Sequence, residues 1–336
     1  HELIETIQNY VPVPARIVSG PFIFAVDHCF PIKGQGTVLT GTVLNGQVRV
    51  NETIELPQLK VQKKVKSMQM FHRPVESAKQ GDRVGICVTQ LDSKLMERGI
   101  ACHPGAILTI EAAVVAVSKV KYFKRACSSK MKFHVSVAHD TVMGVCTFFG
   151  LPKEQITNDN KQENSNNVFG EDTQYLYQNE LFDTTDEHPP GSQFALIQFE
   201  TPILAPLAAL VIGSKLDTDI HANSCRIAFH GTLQACLDPS HGFQKLKVYK
   251  LKRKEGGIDR VVDEHTVIGK NLFKKETDIN LFVGLKVKRT SNGDVGTIES
   301  AFGKSGKFKV YFANGGQTDT TGNLVLEFKR FLYSDG

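Results

Sequence analysis

The sequence predicts an all-β chain: two β-barrels followed by a small basic C-terminal β-barrel. Three observations carry that prediction. Short runs of β-branched and aromatic residues recur along the chain, punctuated by Gly, Pro and Asn-Gly pairs. Sustained helical spacing of apolar residues is confined to the N-terminus, at Leu3, Ile4 and Ile7. Glycines 34, 36 and 41 stand at the entry and middle of a strand, where backbones approach closely or the strand bends, as at the corner of a small closed barrel.

Residues 1–14 read as the tail of a helix and a linker, ended by Pro12 and Pro14, and are expected to be the remnant of an upstream domain. Residues 15–103 read as the first barrel. Phe22, Phe24 and Val26 alternate with Ile23 and Ala25 as a strand. A second strand runs over 37–44, and Asn45-Gly46 turns the chain into a third over 47–56. Strands over 61–71 and 83–91 follow, with Gly81-Asp82 as the turn before Arg83. Asp92 or Ser93 caps a brief helix that Gly99 ends.

Residues 104–240 read as the second barrel, with strands over 108–117, 130–138, 141–149, 193–200, 208–212 and 224–231. The segment 154–190 is rich in Asn, Gln, Asp and Glu, and is expected to be a partly disordered acidic surface loop. Residues 241–336 form the last barrel. Its opening strand alternates lysines with Leu246, Val248 and Leu251, which are expected to face the core with the lysines outside. Lys286 and Lys288, then Lys307 and Lys309, repeat that pattern, and Asn292-Gly293 supplies another hairpin turn.

Charge is unevenly placed. Residues 1–153 carry 19 Lys+Arg against 11 Asp+Glu and residues 243–336 carry 18 against 11, whereas residues 154–187 carry 1 against 9. Basic ends fit a polyanionic partner, and the acidic insert is expected to stay off it. The seven cysteines are scattered without a Cys-x-x-Cys pair, which points to reduced thiols, and no metal site is expected. No signal peptide or membrane-spanning run is apparent, so the reading is cytoplasmic with no membrane partner. No phosphate loop is present: Ile298 stands where Gly-x-x-x-x-Gly-Lys-Ser would need its first Gly before Gly303-Lys304-Ser305.

One polar pair interrupts the first strand. On a regular strand Asp27 and His28 point to opposite faces, so one site holding both requires a bulge or strand end there. The alternative is that Asp27 caps the turn and His28 covers the barrel mouth. The stretch Val26-Asp27-His28-Cys29-Phe30, followed by Gly34-Gln35-Gly36-Thr37-Val38-Leu39-Thr40-Gly41-Thr42-Val43, resembles the second domain of translational GTPases of the elongation factor Tu class. Taken with Val65-Lys66-Ser67-Met68-Gln69-Met70-Phe71-His72 and Gln80-Gly81-Asp82-Arg83-Val84-Gly85-Ile86, it is similar to the selenocysteine-specific elongation factor family (SelB or EFSec). The likeness runs over nearly the whole chain and is weakest between about 150 and 190. The tail resembles the archaeal and eukaryotic form of the family.

That resemblance implies two elongation-factor-type barrels and a C-terminal domain that docks RNA or a partner. It places the selenocysteinyl pocket on Asp27, His28 and Arg83. A selenol ionises at neutral pH while serine and cysteine stay largely neutral, so a permanent Arg cation beside a His made more basic by Asp27 prefers the selenolate. Lys121, Lys124, Arg125, Lys130 and Lys132, around Tyr122 and Phe123, are candidates for tRNA phosphates. Lys286, Lys288, Lys307 and Lys309 are candidates for RNA contact in the last barrel, an alternating lysine strand being also a guard against edge aggregation. The implied partners of this expected monomer are selenocysteinyl-tRNA, the ribosome and the protein that binds the selenocysteine-insertion hairpin of the mRNA. GTP and Mg belong to the family's GTPase domain, so this chain is expected to hold no cofactor and to hydrolyse nothing. Two other readings stand: the tRNA-binding part of an initiation factor gamma subunit, and a basic protein-protein adaptor. The run 250–254 also reads as a nuclear address.

Overall fold

The computed structural model describes residues 2–333 apart from 13, 17, 157–168, 218–223, 242 and 304. The chain forms two compact units. The first includes His1–Phe148 and Asn179–Ser240; the second is Phe149–Thr157, Gly170–Gln178 and His241–Gly336.

The first unit starts with a helix, Glu2–Tyr10, that has no buried residue. Its first barrel is built from β1 (Ile23–Ile32), β2 (Gly36–Asn45), β3 (Gln47–Arg49), β4 (Thr53–Leu56), β5 (Val61–Met70), β6 (Arg73–Val75), β7 (Ser77–Lys79), β8 (Arg83–Val88) and β9 (Gly99–Cys102). The order β4-β9-β1-β2-β8-β5-β6, with β4 also paired to β5, closes the sheet on itself, which removes free edges. The stretch expected as one strand over 47–56 divides into β3 and β4 because Val50 to Glu52 turn, with Asn51 in the left-handed region. Phe22, Phe24, Val26, Leu39, Ile54, Val65 and Ile86 fill the interior. Asp92 caps a single 3-10 turn, Ser93–Leu95, by accepting from the Lys94 amide.

The second barrel uses β10 (Thr109–Lys119), β11 (Met131–Val137), β12 (Asp140–Gly150), β14 (Gln193–Leu204), β15 (Leu210–Ser214) and β16 (Ile227–Leu237), with β13 (Tyr175–Tyr177) lying between β12 and β14 in the chain. The order β11-β15-β16-β10-β14-β12 is closed by the β11–β12 hairpin. Phe133, Phe148 and Phe229 meet edge to face at its centre. Phe123, expected beside the tRNA-facing lysines, is instead 3% exposed and part of this core.

The last barrel is built from β17 (Val248–Val261), β18 (Thr266–Lys270), β19 (Lys286–Arg289), β20 (Val295–Phe302), β21 (Lys307–Tyr311) and β22 (Asn323–Phe331), closed by β17–β22 pairing around Val267, Ile298, Phe308 and Leu326. Two expectations are corrected here. The segment 154–190 is not one disordered loop. Residues 157–168 lie outside the described residues, but Tyr175–Tyr177 is a strand that pairs in parallel with β17, and Glu180 bridges to Ser128. Long-range pairing builds that strand where local composition argues against one. Nor is Leu251 a core residue. It is 61% exposed, while Lys254 lies over the rings of Phe273 and Phe282 at 5.0 and 4.9 Å. The lysine stem tolerates that position because it is apolar and the aromatic faces attract the ammonium.

Candidate functional site

Alternation along β1 breaks at Asp27. Val26 pairs with Gly41 and His28 with Thr40, leaving Asp27 as the extra residue of a β-bulge. Without the bulge His28 would follow Val26 into the core two residues on. With it, His28 shares the face of Thr40, and Thr42 on that same face stands opposite Arg83. The three candidate residues therefore share the outer face of the β1–β2–β8 sheet.

Two of them touch. Arg83 Nη1 lies 2.7 Å from Asp27 Oδ2 and donates to Thr42 Oγ1 at 3.3 Å. Asp82 is engaged elsewhere, accepting from Arg16 and the Lys79 amide. His28 is exposed and, among the described residues, its ring makes no hydrogen bond or ion pair. The expected contact between Asp27 and His28 is thus replaced by one between Asp27 and Arg83. The carboxylate fixes the guanidinium, while further N–H groups of the fork stay available to a ligand.

Arg83 borders a cavity of about 360 Å³ on this face, within the range of small-ligand sites. Phe30, Ile32, Val38, Thr40, Met68 and Phe71 contribute to its walls. Phe71 and His72 were not legible as site residues. They form the two-residue turn between β5 and β6, both in the left-handed region with φ of 49° and 63°, and Phe71 is 88% exposed. Asn-Gly is the usual choice there, so an aromatic at the tip is the signal that the sequence offered.

The basic candidates divide by their pairing. Lys121, Lys124, Arg125 and Lys130 are exposed and pair with no carboxylate among the described residues. Lys132 is held by Glu200 at 2.6 Å. Lys286 and Lys288 are exposed and, with Arg253, border a groove of about 540 Å³. Lys307 and Lys309 are half-buried and held by Asp259 at 2.8 Å and Glu299 at 3.5 Å. Partner and burial tie these two to the barrel surface, where the sequence showed only alternation.

Burial pushes the Cys102 and Cys127 thiols up to about 11, and the fully buried Cys146 higher still. Such thiols are protonated at neutral pH and are poor nucleophiles. Among the described residues no group of His, Cys, Asp and Glu is arranged to hold a metal ion, and no helix is long and apolar enough to cross a membrane.

Comparison with known proteins adds the following. Residues 36–100 match the model of elongation factor Tu domain 2. Residues 114–231 match that of the third domain of eukaryotic selenocysteine-specific elongation factors, and residues 244–330 that of the eEFSec C-terminal RIFT domain. The selenocysteine-specific elongation factor of Mus musculus is 47% identical over 338 residues, covering 94% of this chain. The chain spans 57% of the length of that relative. Among solved structures, translation elongation factor SelB from Methanococcus maripaludis in its apo form matches with a TM-score of 0.74 at 25% identity, over 98% of this chain and 64% of that one. The same factor in complex with the GTP analogue GppNHp matches with a TM-score of 0.69 at 25% identity, over 98% and 67%.

Proposed function

The chain belongs to the selenocysteine-specific elongation factors, and from that premise we propose that it supplies the tRNA-binding domains of a factor delivering selenocysteinyl-tRNA to the ribosome at UGA codons. The carrying observation is the bulge at Asp27, which sets Asp27, His28 and Arg83 on one outer face beside a cavity of about 360 Å³. The aminoacyl group sits against Arg83, with the cavity taking what adjoins it. Asp27 orients the guanidinium at the cost of partly neutralising it, and the exposed imidazole of His28 adds a second donor.

The exposed cations of the second barrel, Lys121, Lys124, Arg125 and Lys130, contact tRNA phosphates and set affinity without reading sequence. The C-terminal barrel docks RNA or the hairpin-binding protein of the mRNA, with the exposed Lys286 and Lys288 among the cations that would meet it. GTP and Mg act in a GTPase domain outside this chain, and the chain itself catalyses nothing. It works as a monomer in the cytoplasm, with access to the nucleus. Matches to two domain models specific to this family support the reading over an initiation factor gamma subunit or an adaptor for acidic proteins.

The test measures binding of selenocysteinyl- and seryl-tRNA to the protein joined to a GTPase domain of the family. A charge-assisted contact contributes roughly 1.5–3 kcal/mol, so Arg83→Ala is expected to weaken the selenocysteinyl complex about tenfold to a hundredfold. The seryl complex is expected to change little. Equal loss for both ligands overturns the assignment of anion selectivity to Arg83.

A further inference from the structure

The carboxylates that follow Gly170 are not simply solvated. In the second unit Asp172 Oδ1 lies 2.9 Å from Lys247 Nζ, and Glu171 lies 3.7 Å from Lys245. Lys329 donates to Gln174 Oε1 at 2.7 Å, and Lys250 lies 3.6 Å over the ring of Tyr177. Four lysines of the C-terminal barrel are thus each met by one residue of a single short segment. That segment is anchored. Tyr175 and Leu176 pair with Val248 and Tyr249, and buried Tyr175 packs against Phe149 with ring centroids 5.2 Å apart.

Anchor and cover differ in strength. The carboxylate part of the cover is two solvent-facing ion pairs, with Asp172 wholly in solvent, and such pairs are individually weak. It lowers the positive potential of the lysine face without occluding it. A polyanion bringing many charges can displace carboxylates that one small anion cannot. A phosphate backbone suits the face better than a peptide does. The face is set by charge: four lysines gathered around one short segment give a density of positive charge that matches a phosphate backbone, which carries one anion per nucleotide. Lysine ammoniums act as point charges toward phosphate.

We propose that Lys245, Lys247, Lys250 and Lys329 form an RNA-backbone-binding face of the C-terminal barrel, and that Glu171 and Asp172 are its built-in competitor in cis. Binding there exchanges the chain's own carboxylates for phosphates. This rests on the RNA-docking reading of the last barrel and gives it a surface and a control.

The experiment titrates a fluorescein-labelled oligouridylate into the whole chain by anisotropy over a series of KCl concentrations. Glu171→Gln with Asp172→Asn is expected to tighten binding about threefold to tenfold at low salt. The slope of log K against log salt steepens by about 1.4, because the two ion pairs that the unaltered chain must break no longer offset roughly 0.7 for each of their lysines. Adding Lys245→Gln and Lys247→Gln returns both quantities to the starting values or below. Four results overturn the proposal: unchanged affinity in a double variant with an unaltered circular dichroism spectrum, a gain that survives the lysine substitutions, absence of RNA binding in both proteins, or equal competition by polyglutamate. Discrimination between selenocysteinyl- and seryl-tRNA is untouched by these variants, so that reading stands or falls separately.

Discussion

At Gly41 an added Cβ would stand 1.9 Å from the carbonyl oxygen of Ala25 and 3.0 Å from Cζ of Phe24. The absence of a side chain there lets β1 and β2 keep register up to the bulge that frees Asp27. Gly41→Ala is therefore expected to push the strands apart, costing about 1–3 kcal/mol as overpacking does, and to draw Asp27 away from Arg83. A fall in the urea midpoint together with lower affinity for the aminoacyl end checks this; an unchanged midpoint removes the argument. Much of this site was legible in residue types alone. The Gly-x-Gly-x-x-x-x-Gly spacing marked a close approach, and two consecutive polar residues in an alternating strand required either a bulge or two separate roles for Asp27 and His28. What could not be read was the partner of Asp27. Arg83 lies two strands away, and only the registers of β1 on β2 and β2 on β8 bring the charges together.

At the scale of elements, the last barrel illustrates where local pattern fails. Val248 and Tyr249 are consecutive buried residues at the start of β17, so alternation does not say which parity continues inward. The aromatic rings of Phe273 and Phe282 decide it by accepting Lys254, and Leu251 is turned outward. The loop over 312–322 has a similar long-range cause. Arg289, with its side chain 3% exposed, donates to Gln317 Oε1 at 2.6 Å and to the Thr321 carbonyl at 2.9 and 3.1 Å, and pairs with Asp319. Its fork holds both sides of the loop at once, a task the single ammonium of lysine cannot reproduce. Arg289→Met is expected to cost about 2–4 kcal/mol and to raise hydrogen exchange at the amides of residues 317–323. Asp319→Asn, which leaves the carbonyl contacts in place, is expected to cost less. Equal exchange in both variants would show that the buried guanidinium is not what orders the loop.

At the scale of the whole molecule, the aspartates held low by hydrogen bonds among the described residues are gathered in one of the two units. Asp172, Asp259, Asp263 and Asp319 all belong to the second unit, and all are held below the usual carboxylate value. The leading causes are hydrogen bonds from Lys247 to Asp172, from Lys307 to Asp259, from the His265 amide to Asp263 and from the Thr321 hydroxyl to Asp319. A carboxylate with a depressed folded value stabilises fully above its unfolded value and loses that contribution as pH falls through the folded one. The second unit is therefore expected to weaken first as pH drops from 7 toward about 3, and the four shifts act in the same direction. Two compact units also make a single unfolding transition unexpected. Urea titrations followed by hydrogen-exchange mass spectrometry, with peptides assigned to each unit, should resolve two midpoints at pH 7. The midpoint of the second unit should then fall further on acidification, while that of the first changes less. Asp259→Asn should reduce that difference in acid response, since it removes one of the groups that create it. Midpoints that move together at every pH would mean that the two units share one cooperative transition and that the clustered aspartates have no separate effect.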